Sequence, residues 1–326
     1  MSADSPPAQG ARSRRNGLLA LLLTATFLCF VPALPGEFVW DDVPLIRTNV
    51  LVRDLSRIGD ALTHDFWYVP YRTQPGAGLG RRYYRPVVTL AYALQYRAFG
   101  ESSPGYHVVS LALHLACAAL VFGWLSRRLG GGERALLPAA CGAAVFALHP
   151  SRPESVAWIS GSTDLWMTLF ILLAVRAWDT GDRDAPAALP WRTGLFLFLA
   201  AMCKETTVVV PALLAVDLLL LPAEGTARTR WTRWGAAVGA VILAVAIRAA
   251  VLPRLLPANT LDTAAQTPVR VLSSLGHYVS YVVWPWVPSA QSPLQRLDAA
   301  GHPIYARWSV VVGALVTVAL SAVAAR

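Results

Sequence analysis

The chain has 326 residues, 55% of them hydrophobic and 14% charged, with a mean hydropathy of +0.47 and a formal net charge of +9. That much apolar surface cannot be hidden inside a water-soluble fold of this size, so the composition excludes a soluble globular protein and indicates an integral, multi-pass membrane protein. The basic excess sits in short arginine clusters between apolar runs, which fits membrane orientation and argues against nucleic acid as a partner.

Residues 1–16 form a short tail carrying Arg12, Arg14 and Arg15, expected in the cytoplasm. The apolar run 17–34 follows without a clear small-residue cleavage site and predicts an uncleaved first membrane helix. Residues 35–105 form a long, structured loop on the outer side that begins with Asp41 and Asp42. Within it, Leu51, Leu55, Ile58 and Leu62 recur at helical spacing while Arg53, Asp54, Arg57 and Asp60 take the other face, predicting an amphipathic helix on the membrane surface. A second such helix is expected after Pro86, in PVVTLAYALQYRAFG, entered through RRYYR at 81–85.

Further apolar runs cover 106–125, 135–148, 156–178, 193–203, 205–221, 234–252, 269–287 and 308–324. The expected fold is an all-α bundle of about nine transmembrane helices, although several runs fall short of the roughly 20 residues a crossing needs. Residues 193–221 could be one long helix or two helices that turn at Lys204 and Glu205. Counting two puts Arg127/Arg128/Arg134, Arg176/Arg183/Arg192 and Arg228/Arg230/Arg233 on the same side as the N-terminal arginines, as the positive-inside bias requires. Trp158, Trp178, Trp191, Trp231, Trp234, Trp284 and Trp308 lie at or near span ends, where interfacial aromatics belong. The direction of 269–287 stays open, because WPWVP could end a span or mark a re-entrant helix. Cys29, Cys117, Cys141 and Cys203 all fall in apolar segments without ligand or disulfide spacing and are expected to pack.

This topology collects three polar groups on the outer side: Asp41 with Asp42, His149 with Glu154 in HPSRPE, and Lys204 with Glu205. Lys204 is the single lysine among 28 basic residues. Each group has an ordinary explanation, respectively a turn, a helix stop and a local ion pair. Their coincidence on one face is what points to function, since ionisable groups at membrane depth are costly and usually face a cavity or a partner. By contrast His114, Asp217 and Arg248, inside apolar runs, are expected to make hydrogen bonds within the bundle.

A lysine in an outward cavity suits the phosphate of a lipid carrier, and an interfacial carboxylate suits a base acting on a hydroxyl. A phosphate leaving group is already stable as an anion, so one base and one or two cations suffice, where hydrolysis of a sugar ether needs two carboxylates.

The text FVWDDVPLIRTNVLVRDLSRIGDALTHDFW, YYRPVVTLAY with FGESSPGYHVVSLALH, HPSRPESVAWISGSTDLW, LAAMCKETTVVVPALLAVDLLLLP and, more loosely, HYVSYVVWPWVPS spans residues 38–290 in order. This set resembles the membrane half of the transmembrane and tetratricopeptide-repeat O-mannosyltransferases of the GT-C superfamily. The resemblance implies a GT-C-like transmembrane domain over 17–326 and an inverting enzyme. It would move a sugar, with mannose the expected one, from a polyprenyl-phosphate donor to a hydroxyl on a protein or glycan acceptor at the extracytoplasmic face of a bacterial inner membrane. One of Asp41 and Asp42 would be the catalytic base, and Arg85, His149, Glu154, Lys204 and Glu205 would bind donor and acceptor. No metal ligand is assigned, and the resemblance leaves divalent-metal dependence open. Where relatives often read GRADLL, this chain has GSTDLW, so Ser162 replaces a basic residue and Asp164 is the remaining candidate there. The chain stops at Arg326 after an apolar run, and no repeat domain is expected within it. A transporter or flippase for a lipid-linked substrate is the alternative, which would more often show internal repeats and unwound helices at the midplane.

Overall fold

The structure, a computed structural model, describes residues 6–68, 83–180, 190–220, 227–252, 267–283 and 307–324. Regular structure among these residues is helical throughout. In the first of two compact units, Met1–Leu255, α1 (Pro6–Phe30) runs into a 3₁₀ turn at Val31–Ala33. After the short α2 (Val50–Arg53) and the loop helix α3 (Pro86–Phe99) come α4 (Ser103–Arg128) and α5 (Glu133–Leu148). The one-turn α6 (Pro153–Val156) precedes α7 (Ser162–Thr180), α8 (Pro190–Cys203), α9 (Val210–Leu220) and α10 (Ala227–Val251).

Local chemistry accounts for the boundaries. Helix α4 begins with Pro104 in its first turn, where a missing N–H costs nothing, and is followed by Gly130 and Gly131 at φ of 99° and 70°, a left-handed stop. Helix α5 ends at His149 because Pro150 disfavours helical geometry in the residue before it.

Among the described residues three stretches are long and apolar enough to cross a membrane: Gly10–Ala33, Ser103–Arg128 and Arg230–Val251. The remaining apolar runs with described residues are helical but shorter or less uniformly apolar, so length and composition alone identify three spans rather than the nine expected. The 14 residues of α8, for instance, reach only about 21 Å.

Polar contacts sort the helix ends. At one end Arg14 of α1 meets Glu133 of α5 at 2.7 Å, and Arg128 of α4 bridges Asp179 of α7 at 2.5 Å and Asp217 of α9 at 2.8 Å. Trp178 donates to Asp217 at 2.7 Å, and Arg230 of α10 donates to the Leu218 carbonyl at 2.9 Å. At the opposite end Lys204, after α8, reaches Asp164 at the start of α7, and Arg248, near the end of α10, reaches Glu205. Asp217 thus returns to the end of the bundle that α8 has left, so the chain reverses at Lys204 and 193–221 is two helices.

The first loop folds onto that second end. Leu45, Ile46, Val52 and Phe66 from the loop, Val88 and Tyr92 from α3, Tyr106 from α4, Ile159 and Cys203 form one buried cluster. The buried Tyr92 hydroxyl donates to the Ile159 carbonyl at 3.0 Å and lies 3.1 Å from the Ser162 hydroxyl. The single amphipathic helix expected over 51–62 is instead two pieces, α2 and a 3₁₀ segment Leu55–Leu62. Asp54 breaks it: its backbone is extended and its carboxylate accepts from the Ser56 N–H at 3.0 Å, an N-cap where a helix interior was expected. Leu51 is fully buried and Leu62 is 61% exposed, so these leucines do not share one face. The helix expected after Pro86 is present, burying Val88, Tyr92 and Ala93 and exposing Leu90 and Leu94.

The second unit, Leu256–Arg326, contains α11 (Thr267–Val283) and α12 (Arg307–Ala324). They pack through Gly276 against the Ser309 backbone and Gly313 against the Leu272 backbone, with the Ser273 and Ser309 hydroxyls 2.7 Å apart. Small residues permit this closeness, as membrane helix pairs favour. The WPWVP segment lies outside the described residues, as do Arg81 and Arg82 of the RRYYR cluster.

Candidate functional site

A cavity of about 170 Å³ opens where the first loop meets the ends of α7 and α8. Its walls are Asp41, Leu45, Phe66, Trp67, Arg85, Glu154, Trp158, Ser160, Gly161, Thr163, Asp164 and Lys204. Five of the charged residues singled out from sequence therefore meet in one place: Asp41, Arg85, Glu154, Asp164 and Lys204.

The two aspartates after α1 separate in role. Asp42 is fully buried. Its carboxylate accepts from the Ser160 N–H at 2.7 Å, from the Ser160 hydroxyl, and from the Val39 N–H at 3.1 Å. It braces the first loop to the turn before α7. Asp41 faces the cavity, and burial together with the neighbouring Asp42 charge pushes its carboxyl above the usual carboxylate range. A raised carboxyl is a better proton acceptor once ionised.

The cations of the site are each held by a carboxylate. Lys204 caps the end of α8 with extended backbone, φ −155° and ψ 137°, and its ammonium pairs with Asp164 at 2.5 Å. Glu205 instead accepts from Arg85 at 3.1 Å and lies 3.5 Å from Arg248. The local Lys204–Glu205 ion pair, the ordinary explanation for the two residues, does not form: the backbone passes from extended at Lys204 into a 3₁₀ turn that starts at Glu205, and each side chain finds a partner elsewhere in the chain. Arg85 also stacks its guanidinium on Tyr83 and Phe66, 4.7 and 5.3 Å from the ring centroids, which holds it flat against the loop. Arg248 and Asp217 thus enter charge pairs, while the buried His114 bonds the Ala147 carbonyl at 2.9 Å within the bundle.

Three N–H donors of cavity-lining residues are buried without a protein partner: Arg85 Nε, Trp67 Nε1 and Trp158 Nε1. Buried donors are usually satisfied, so a group of them around a cavity can donate hydrogen bonds to water or to the oxygens of a ligand. With the Lys204 ammonium, whose three protons exceed what Asp164 accepts, they form a shell suited to phosphate oxygens. Among the described residues no group of three or more His, Cys, Asp and Glu side chains is placed to hold a metal ion.

His149 and Glu205 do not line the cavity. The His149 Nδ1 lies 2.9 Å from the Ser151 hydroxyl and accepts the Ser151 N–H at 3.2 Å, closing the turn after α5. Glu205 stands one layer behind Arg85. The roles of Trp67, Trp158 and Arg248 escaped the sequence reading. Arg248 had a signal, a charge inside an apolar run; Trp158 read as an interfacial anchor, and nothing in the sequence singled out Trp67. Ser162, at the departure from GRADLL, supports Tyr92 rather than the cavity. Gly161 has its backbone against the Glu154 carbonyl, an approach that leaves no room for a Cβ.

The chain resembles curated protein O-mannosyltransferases. It is 32% identical to mouse protein O-mannosyl-transferase TMTC4 over 215 residues, 60% of this chain and 28% of that protein. It is 29% identical to protein O-mannosyl-transferase F38B6.6 of Caenorhabditis elegans over 217 residues, 66% of this chain and 30% of the relative. Drosophila melanogaster Tmtc1 is 30% identical over 196 residues, 60% and 22% of the two chains. The chain thus spans less than a third of the length of these relatives. No protein-family model and no solved structure matches it.

Proposed function

We propose that this chain carries the membrane-embedded catalytic part of an inverting GT-C-type glycosyltransferase that moves mannose from a polyprenyl phosphate to a hydroxyl of a protein acceptor at the extracytoplasmic face. The observation that carries this reading is the cavity itself, which sets a carboxylate of raised proton affinity, Asp41, among Lys204, Arg85 and buried N–H donors without partners. The names of the relatives supply the sugar and the acceptor class.

In this reaction Asp41 takes the proton of the acceptor hydroxyl, and the oxygen attacks the anomeric carbon opposite the phosphate. The C–O bond to phosphate breaks, and its electrons stay on the departing phosphate. Lys204 and Arg85 stabilise that charge, with the indole N–H of Trp67 as a further donor. One displacement inverts the anomeric centre. Asp42 keeps Asp41 in place, Asp164 orients Lys204, and Glu205 orients Arg85.

Transfer of labelled sugar from a panel of polyprenyl-phosphate sugars to hydroxyl-bearing peptides in reconstituted membranes tests this. Transfer from the mannose carrier, with inversion, is expected. No transfer from any member of the panel would overturn the reading.

A further inference from the structure

Trp40 is the one non-glycine residue among those described that has a positive φ, 47°. A bulky residue in the left-handed region is a true outlier and costs about 1–2 kcal/mol. Trp40 does not recover that cost by burial, being 71% exposed. The conformation is imposed by its neighbours: Asp42 accepts the Val39 N–H at 3.1 Å and is anchored to Ser160, while Asp41 is turned to the cavity. The exposed indole lies edge-to-face against Trp158, with centroids 6.1 Å apart and planes at 84°, and Trp158 is a wall of the cavity.

The strained turn that aims Asp41 into the cavity leaves the exposed Trp40 indole next to that carboxylate in the chain, and strain that persists at a site is a mark of use. We propose that Trp40 and Trp158 form a docking rim for the acceptor, an extended polypeptide segment in which the hydroxyl residue is flanked by an apolar side chain. This rests on the glycosyl-transfer reading of the cavity. The base defines the side from which the acceptor hydroxyl arrives, and Trp40 adjoins that base in the chain, whereas the cations come from the start of α3 and the end of α8. A flanking aliphatic side chain would fill the corner between the two rings, and rigid aromatic surface gives such contact at low entropic cost.

The test uses the full chain in lipid nanodiscs and fluorescently labelled peptides with threonine flanked by valine or by glycine. Peptide binding is read by anisotropy without any sugar donor, and steady-state transfer is read separately. The unsubstituted protein should bind the valine-flanked peptide about three- to tenfold more tightly than the glycine-flanked one. Trp40→Ala should abolish that preference and raise the KM for the valine-flanked peptide by a similar factor while the donor KM moves less than about twofold. Trp40→Gly, whose backbone accepts φ of 47° without strain, should behave as Trp40→Ala does, separating ring loss from misfolding. If both variants keep the preference, Trp40 is an interfacial anchor and the docking rim is wrong. A Trp40-dependent preference in a protein that transfers no sugar would support the rim and count against the transferase reading.

Discussion

Lys204 and Asp164 meet at 2.5 Å across the mouth of the cavity, 40 residues apart in the chain, while Glu205, next to Lys204, turns away to Arg85. The lysine is thus oriented by a carboxylate that lines the same cavity. Lys204→Met is expected to reduce transfer about a hundredfold or more, the scale for losing one group that stabilises the leaving charge. Lys204→Arg should recover part of that loss, since the planar fork differs in shape and reach. The pair is partly exposed, so its net effect on stability is at most about 1 kcal/mol. The double variant Lys204→Met with Asp164→Asn should therefore melt close to the unsubstituted protein. Full transfer by that double variant would end the phosphate role of Lys204.

Asp41 and Asp42, adjacent and chemically identical, should respond oppositely to the same change. Asp41→Asn is expected to fold normally and lose about a hundredfold or more in transfer, as for removal of a positioned base. Asp42→Asn should lower stability by about 1–3 kcal/mol, the cost of disturbing a buried, hydrogen-bonded group. Thermal melting and transfer assays on both variants decide it, and a stable but inactive Asp42→Asn protein would reverse the two assignments.

The pH profile follows from the direction of the Asp41 shift. Its ionised form is the active base, so kcat/KM should fall as pH falls through its pKa, and burial plus the Asp42 charge place that limb above the ordinary carboxylate range. Asp42→Asn removes the repelling charge and should move the limb to lower pH in the protein that remains folded. A limb that stays put would show that Asp42 does not act on the base through its charge.

Gly161 is where α7 is held against the turn containing Glu154, and an added Cβ would meet the Glu154 backbone oxygen. Backbone cannot give way as a flexible side chain can, so Gly161→Ala should force apart Ser160, Asp164 and Glu154 together. Loss of thermal stability with a weakened transfer rate is the expected result. A fully active, equally stable variant would show that this contact does not position the cavity wall.

Membrane topology can be read from cysteines placed at exposed positions. Glu37→Cys and Ser102→Cys should react with an impermeant maleimide from the extracytoplasmic side, and Gly132→Cys only after the membrane is opened. The charge pairs put these positions at opposite ends of the bundle, and the arginines choose which end faces the cytoplasm. Equal labelling of Glu37→Cys and Gly132→Cys in intact cells would break the assignment.

The apolar runs were legible in the sequence because a membrane demands that each crossing segment satisfy its own backbone and show lipid an apolar surface. Their reversal at Lys204 was legible too, through the arginine alternation, and charges at membrane depth marked Asp41, Glu154 and Lys204 because such charges are costly without a function, whereas Arg85 was indicated only by the family resemblance. The amphipathic reading of 51–62 failed where Asp54 found a local hydrogen bond that competes with the helix, a choice that depends on one side chain rather than on hydrophobic period.

The sequence by itself determined the helical class, the broad order of the runs and the group of ionisable residues from which a site could be built, since composition, period and charge act locally. The tertiary structure alone decided which of those residues meet. It paired Lys204 with Asp164 and Glu205 with Arg85, buried Asp42 under Ser160, left His149 outside the cavity, and set an exposed Trp40 against Trp158. Pairing across 40 or 120 residues depends on how helix ends and the first loop pack in three dimensions, and no local property of the chain specifies that.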